Sequence, residues 1–175
     1  NFGIKNQTVL CEIAKLVSKK NKGISEYIHH YEIEDLSVLR DIAESEAKQS
    51  PNFSKFVQNY AFKDKNVLLE LALLSVKNYN NIEKLIQFLD NFELNDQNDL
   101  TKLAMLIAGH SPAVLLQTIN KFNIQDENAR FNILKSCLYG VYSSFFYLDS
   151  FKLKDKDILL EALKLFAKNE PYNLG

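Results

Sequence analysis

Tryptophan is absent from this 175-residue chain, and glycine, proline and cysteine number only five, three and two. So few glycines and prolines leave little material for tight turns, β-hairpins or flexible linkers. No stretch approaches the roughly 18 consecutive apolar residues of a membrane-spanning helix. The formal net charge is −1, so the chain as a whole has no electrostatic attraction for nucleic acid or anionic lipid.

Motifs that carry enzyme chemistry are also missing. The sequence has no P-loop, Gly-rich dinucleotide turn, nucleophile elbow or HExxH pair. No Cys or His stands at metal-ligand spacing. We therefore expect no enzyme activity, no catalytic residues, no cofactor and no metal site in this chain. Cys11 and Cys137 lie far apart in sequence, which favours reduced thiols in an intracellular, reducing compartment.

A five-residue motif, aromatic-x-apolar-x-Asn/Asp, organises the sequence, of which 46% is hydrophobic. The motif occurs six times at intervals of 29 to 32 residues, and a helical apolar pattern follows each copy. Fixed periods of 20–50 residues are typical of repeat arrays, in which each unit buries its apolar face only against its neighbours. The copies occupy residues 2–6, 31–35, 60–64, 92–96, 122–126 and 151–155.

The Asn or Asp that ends each motif is expected to cap a helix, because its side-chain oxygen can accept hydrogen bonds from the free amides of the first turn. Positions in each repeat are numbered from this residue. Apolar residues at +4, +7 and +8 form one face of a helix of about twelve residues, helix A, and alanine at +8 in four repeats allows close packing. The predicted caps are Asn6, Asp35, Asp64, Asp96, Asp126 and Asp155.

A polar break and a shorter apolar pattern then predict a second helix, helix B. Ser50-Pro51 and Ser111-Pro112 place a hydroxyl before a proline at the first helical position, and residues 80–83 resemble a capping box. The predicted buried residues of helix B are Ile24, Tyr27 and Ile28; Phe53, Phe56 and Val57; Ile82, Leu85 and Ile86; and Val114, Leu115 and Ile119.

These patterns predict an all-α fold, a right-handed α-solenoid of about six two-helix repeats in a single domain, residues 1–175. The chain opens in phase with the first repeat and the sixth stops before a second helix, so we expect a fragment of a longer protein. The repeats occupy residues 1–30, 31–59, 60–91, 92–121, 122–150 and, incompletely, 151–175.

The spacing resembles helical-hairpin solenoids of the tetratricopeptide (TPR) and HEAT types, although about 30 residues is shorter than their units. The motif and the Ile-Ala pair that follows it, here Phe2, Ile4, Ile13 and Ala14, are similar to tandem repeats in large, effector-like proteins of intracellular bacteria. This resemblance brings no catalytic residues. It implies a scaffold or adaptor segment, and delivery into a host cytosol.

The fifth repeat departs from the pattern, and such departures are expected at functional sites. Arg130 replaces the leucine found at +4 in the other repeats, and six aromatic residues crowd residues 139–151, more than one short helix can bury. Aromatic residues and arginine are common interface anchors; packing against a neighbouring repeat is the other interpretation of the cluster. We predict partner contacts at Arg130, Tyr139, Tyr142 and Phe146.

Charge is uneven along the first two repeats, with a net +3 over residues 1–29 and −3 over residues 30–58. Asp41 and Glu44 lie three residues apart on helix A and are predicted as a second contact site, for a basic partner. A role in keeping the surface soluble would also explain them. At the +5 position, Leu69, Phe131 and Leu160 predict an apolar stripe on the surface.

The predicted function is that of a non-catalytic protein–protein interaction scaffold or adaptor, which presents an extended surface to a protein or peptide partner. One alternative is a regulatory or substrate-recruiting arm of an enzyme whose catalytic domain lies outside this chain. We expect a monomer that inserts into no membrane. A nucleic-acid-binding repeat would need a basic stripe, whereas the +6 row is mainly acidic: Glu12, Asp41, Glu70, Lys102, Asn132 and Glu161.

Overall fold

The computed structural model describes residues 6–20, 23–138 and 144–169, and these residues form helices and turns without a strand. The all-α class predicted from the sequence is confirmed. The α-helices are α1 (Gln7–Lys20), α2 (Leu36–Gln49), α3 (Phe53–Phe56), α4 (Lys65–Val76), α5 (Tyr79–Gln87), α6 (Gln97–His110), α7 (Pro112–Thr118), α8 (Glu127–Leu138) and α9 (Lys156–Asn169).

The two helices of a repeat differ in kind. Helix A is an α-helix of 12 to 14 residues in all six repeats, namely α1, α2, α4, α6, α8 and α9. The helix-B region instead ends in a 3₁₀ helix whose last residue is the motif aromatic. The 3₁₀ helices that end in a motif aromatic are Ile28–Tyr31, Val57–Tyr60, Leu89–Phe92, Ile119–Phe122 and Ser144–Phe151. The first repeat has a further 3₁₀ turn, Ile24–Glu26.

All six predicted caps of helix A are confirmed. The carboxylate of Asp35 accepts hydrogen bonds from the amides of Ser37 and Val38, which satisfies donors that the first helical turn leaves free. The other five caps likewise accept hydrogen bonds from amides two or three residues further on. They are Asn6, Asp64, Asp96, Asp126 and Asp155.

The residue after the motif aromatic has left-handed backbone geometry in every motif that the structure describes. Its φ lies between 47° and 53°, and the residues are Glu32, Ala61, Glu93, Asn123 and Lys152. This conformation ends the 3₁₀ helix and turns the chain toward the next cap. Gly3, at the same position of the first motif, lies outside the described residues.

The chain groups into two compact units, Asn1–Leu94 and Asn95–Gly175. In the first unit, α1 packs on α2 and α2 on α4, while α3 packs on α5. In the second unit, α6 packs on α8, α8 on α9, and α7 lies against both α6 and α8. Within each unit, therefore, a helix A packs on the helix A of the following repeat.

Small residues make this packing close. The alanines at +8 are fully buried, which confirms the role predicted for them: Ala14, Ala43, Ala72 and Ala104. The motif aromatics Tyr60, Phe92, Phe122 and Phe151 are also fully buried and fill the turns between repeats. In the first unit, the residue before the motif aromatic forms a polar link between repeats. The side-chain amide of Asn59 donates to two carbonyls of the preceding repeat. The side-chain amide of Asn91 likewise donates to two carbonyls of the repeat before its own.

The starts of helix B differ from the sequence prediction. The amide of Ser50 still bonds to the carbonyl of Glu46 as the end of α2, so Pro51 lies in a turn and α3 begins at Phe53. The cap of α5 is Asn78, which accepts from the amide of Asn80, so the predicted capping box at residues 80–83 is wrong. Pro112 does begin α7, but the Ser111 side chain makes no capping hydrogen bond.

Several predictions of burial also differ from the structure. Phe56 and Val114, predicted as buried residues of helix B, are half-buried. Tyr27 is exposed, because residues 24–31 form short 3₁₀ turns in place of a continuous helix B. Leu69 and Phe131 are buried, so no apolar surface stripe runs through them.

Candidate interaction site in the fifth repeat

The helix-B region of the fifth repeat differs from its counterparts. Ser144–Phe151 is a 3₁₀ helix of eight residues, whereas the other repeats end in 3₁₀ helices of four. Runs longer than three or four residues are uncommon for 3₁₀ helices and often mark functional segments. The segment packs against α7 and α8, and its last residue, Phe151, is fully buried. We call residues 144–151 the aromatic segment.

Phe146 is the most exposed large apolar side chain among the described residues, with 82% of its surface open. The sequence predicted more aromatic residues in 139–151 than one short helix can bury, and the exposure of Phe146 confirms this at one position. Tyr147 is half-buried, and its hydroxyl accepts a long hydrogen bond from Nε2 of Gln117, at 3.5 Å. Tyr139 and Tyr142, two of the predicted contact residues, lie outside the described residues.

The guanidinium of Arg130 forms hydrogen bonds within the chain. Its Nη1 donates to the carbonyls of Ile124 and Gln125, each at 2.7 Å, and its Nη2 donates to the carbonyl of Lys152 at 3.3 Å. These bonds tie the fifth motif to the sixth and hold the C-terminal end of the aromatic segment. A direct contact of Arg130 with a partner stays a prediction; the position of the guanidinium indicates a supporting role.

A small polar cavity lies beside Arg130. It has a volume of about 120 Å³, and its lining includes Asn120, Asn123, Gln125 and Ser150. This volume is well below the roughly 300–1,000 Å³ of typical cofactor and substrate pockets. Nε of Arg130 is buried without a protein partner, which is the kind of donor that an ordered water satisfies.

Asp41 and Glu44 belong to the first unit, where the structure places them in ion pairs. The Asp41 carboxylate lies 3.4 Å from Nζ of Lys15 on α1. Glu44 lies 3.1 Å from Nε of Arg40 and 3.9 Å from Nζ of Lys48, and Arg40 also pairs with Glu70 on α4. Much of the acidic charge predicted for this surface is therefore matched by basic side chains of the same unit.

The +6 row is exposed in all six repeats: Glu12, Asp41, Glu70, Lys102, Asn132 and Glu161. Within the first unit all three members are acidic. A basic stripe, which a nucleic-acid-binding repeat would need, is absent from this row.

Sequence reasoning missed a buried polar cluster in the first unit. Oε2 of Glu46 accepts hydrogen bonds from the amide of Gly23 at 2.9 Å and from Oγ of Ser25 at 3.1 Å, and Ser25 in turn lies 3.0 Å from the hydroxyl of Tyr60. The side chains of Ser25, Glu46 and Tyr60 are all buried, so a substrate could not reach them. The cluster therefore links α2 to the segments that contain Ser25 and Tyr60.

Burial changes the acid–base behaviour of this cluster. It raises the pKa of the Glu46 carboxyl, although the hydrogen bonds from Ser25 and Gly23 act in the opposite direction. It also raises the pKa of the Tyr60 hydroxyl. The signal in the sequence was Glu46 itself, because it is the one charged residue at +11, where the other repeats have Val17, Ser75, Ile107, Cys137 and Phe166.

Among residues 6–20, 23–138 and 144–169, no three His, Cys, Asp or Glu side chains are grouped so as to hold a metal ion. None of the helices in these ranges combines the length and the apolar character needed to cross a membrane. Both cysteines are free thiols.

No protein-family model matches the chain, and no curated protein or solved structure matches it either.

Proposed function

We propose that this chain is a non-catalytic binding module that presents the aromatic segment to a protein or peptide partner, with Phe146 as the main anchor. The observation that carries the proposal is the 82% exposure of Phe146, in an array where four of the motif aromatics are fully buried, namely Tyr60, Phe92, Phe122 and Phe151. Large aromatic side chains supply much of the binding energy at protein interfaces.

The repeated residues support this assignment because they are occupied in holding the repeats together. The caps accept hydrogen bonds from helix amides, the alanines at +8 are buried, and four of the motif aromatics are buried in the turns, namely Tyr60, Phe92, Phe122 and Phe151. Specificity is then left to exposed residues that do not repeat, and Phe146 is one of them. The solenoid stacking predicted from the period belongs to the same proposal, and the packing of helix A on helix A within each unit supports it.

Preorganisation of the aromatic segment adds further support. Phe151 anchors one end in the core, Arg130 fixes the following residue through the carbonyl of Lys152, and Gln117 contacts Tyr147 from α7. A segment that is already ordered loses less conformational entropy on binding than a free loop would.

Site-specific crosslinking tests where a partner binds. The photoreactive residue p-benzoylphenylalanine replaces Phe146 in one variant and Tyr79, an exposed aromatic in the first unit, in the matched control. We expect a defined protein to crosslink through position 146 and not through position 79. Equal crosslinking at both positions, or none at 146, would contradict the assignment of the site.

The affinity of the identified partner then tests the anchor. Phe146→Ala should weaken binding by tenfold or more, because truncating an interface hot spot typically costs about 2 kcal/mol. Tyr79→Ala should bind as the unmodified chain does. If Phe146→Ala also binds normally in isothermal titration calorimetry, Phe146 is not the anchor.

A further inference from the structure

The first residue of helix A, at position +1, binds the backbone of the following motif in several repeats. In the first unit, Nε2 of Gln7 donates to the carbonyl of Glu32 at 3.0 Å, and its Oε1 accepts from the amide of Glu34 at 3.2 Å. Gln97 makes the same two bonds to the fifth motif in the second unit, at 3.4 Å and 2.7 Å. Glu127 accepts from two amides of the sixth motif. A carboxamide at +1 therefore occupies one carbonyl and one amide of a motif.

Position +1 of the second repeat is Leu36, which has no hydrogen-bonding side chain and is 68% exposed. The backbone groups that a carboxamide would occupy there are the carbonyl of Ala61 and the amide of Lys63. In the part of the chain that the structure describes, neither group has a hydrogen-bond partner. Both residues are exposed. The third motif thus presents an unused acceptor and an unused donor where the second and fifth motifs have theirs occupied.

The backbone of the third motif has the same turn as the motif that Gln7 binds. Ala61 has a φ of 53° and a ψ of 27°, and Glu32 has a φ of 49° and a ψ of 40°. Phe62 lies between the two unused groups and stacks on the buried ring of Tyr60, with 5.7 Å between the ring centres. The unused acceptor and donor therefore belong to an ordered segment, which lowers the entropy cost of binding.

The pair of groups matches the backbone of an extended peptide. In a parallel β-ladder, one residue donates its N–H to a carbonyl of the neighbouring strand and accepts from the amide two residues further along that strand. The carboxamides of Gln7 and Gln97 reproduce this pattern within the chain. Peptides that bind in this way gain affinity from backbone hydrogen bonds and specificity from their side chains.

We propose that Leu36 and residues 61–63 form a binding site for an extended peptide segment of a partner. One residue of the peptide donates to the carbonyl of Ala61 and accepts from the amide of Lys63, and an apolar side chain of the peptide covers Leu36. The site lies in the first unit and does not depend on the aromatic segment.

NMR titration of the full 175-residue chain with the peptide acetyl-Thr-Leu-Thr N-methylamide tests this proposal. The amide resonance of Lys63 should shift and saturate with a Kd of about 1 mM, as expected for a contact this small. The same peptide with all three residues N-methylated lacks the N–H donors for Ala61 and should bind about fivefold more weakly or worse. An N-methylated peptide with glutamine in place of leucine offers a side-chain carboxamide alone and should bind no better than this control.

Variants of position +1 provide matched controls. Leu36→Gln places a carboxamide in the site, so without any peptide it should shift the Lys63 amide and slow its hydrogen exchange several-fold; it should also abolish the response to the peptide. Leu36→Met keeps an apolar side chain and should respond as the unmodified chain does. Gln7→Leu vacates the equivalent groups of Glu32 and Glu34, so the Glu34 amide should then respond to the peptide.

Four results would overturn the proposal. The first is a Lys63 amide that does not move up to about 20 mM peptide, well above the expected Kd. The second is an unchanged response in Leu36→Gln. The third is equal binding of the N-methylated glutamine peptide, which would assign the site to a side-chain carboxamide. The fourth is loss of the response in Phe146→Ala, which would place the peptide on the aromatic segment.

Discussion

Left-handed backbone geometry disfavours any residue with a Cβ atom by about 1 kcal/mol relative to glycine. The chain nevertheless places Glu, Ala, Asn and Lys in this conformation after the motif aromatics. At Ala61, Glu93, Asn123 and Lys152 the preceding aromatic is fully buried and holds the backbone there, so some strain is retained at these junctions between repeats.

Replacing Ala61 with glycine should relieve this strain. Ala61 has a φ of 53°, and we expect Ala61→Gly to raise the free energy of unfolding by about 0.5–1 kcal/mol in urea titrations. Ala113→Gly, at an exposed position of α7, is the control and should lower it, because glycine weakens an ordinary helix. Destabilisation by both substitutions would contradict the assigned role of the turn.

Glu46 should make stability depend on pH. Its pKa is raised by burial, so the folded chain binds the proton more tightly than the unfolded chain does, and stability falls as pH rises through this range. Glu46→Gln keeps an oxygen that accepts from Gly23 and Ser25 but carries no charge. In thermal melts, the stability of Glu46→Gln relative to the unmodified chain should therefore increase as the pH rises above the ordinary pKa of a glutamate.

Glu46→Ala provides the corresponding control for the hydrogen bonds. It leaves the Gly23 amide and the Ser25 hydroxyl without their acceptor, so we expect a loss of about 1–3 kcal/mol at both ends of the pH range. A constant difference between Glu46→Gln and the unmodified chain at every pH would show that Glu46 does not titrate in this window.

Single residues also show where sequence reasoning succeeds and fails. The six caps were predictable because capping depends on local chemistry, a short side-chain oxygen two or three residues before free amides. The left-handed turn was signalled only by Gly3 and Asn123. The other motifs carry Glu, Ala or Lys at this position, and tertiary packing imposes the conformation on them.

At the scale of helices, the packing of one helix A on the next is the main stabilising contact within each unit. Leu134 in α8 and Leu163 in α9 occupy the same +8 position with opposite exposure. Leu134→Lys should destabilise the chain by more than about 3 kcal/mol, because it buries an unpaired charge. Leu163→Lys should change the stability by less than about 1 kcal/mol in chemical denaturation at low protein concentration.

Equal losses in these two variants would contradict the register assigned to α8 and α9.

The start of helix B could not be predicted from the sequence, because the local signals were misleading. Ser50-Pro51 has the composition of a helix start, yet Ser50 is held as the end of α2 by the carbonyl of Glu46. The start of helix B depends on how far the preceding helix extends, and no local sequence pattern fixes that length.

For the whole molecule, thiol labelling distinguishes folded from unfolded chains. Burial raises the pKa of the Cys137 thiol to about 12, which removes the reactive thiolate at neutral pH. Mass spectrometry should find one maleimide label on the native chain, at half-buried Cys11, and two labels in urea. Cys11→Ser is the control and should label only in urea; rapid double labelling of the native chain would contradict the burial of Cys137.

The repeat period predicted the all-helical class of the whole chain, because a regular apolar pattern depends on sequence alone. It did not predict which surfaces stay open. Phe131 and Leu160 share the +5 position, yet only Leu160 is exposed, since exposure depends on whether a neighbouring helix covers the residue. The sequence predicted a partner contact for Arg130, and its bonds within the chain were missed because they join three carbonyls from two motifs, which a linear sequence does not bring together.

The recurring left-handed turn also bears on how such a chain evolves. Every described motif re-establishes the same geometry between one 3₁₀ helix and the next cap, although the repeats differ in length by up to three residues. A helix-B region can therefore be lengthened, as α5 is relative to α3, without shifting the start of the following helix A. Genetic recombination between two copies of the motif would join compatible ends. Whole repeats can therefore be gained or lost while the fold of the remaining repeats is preserved.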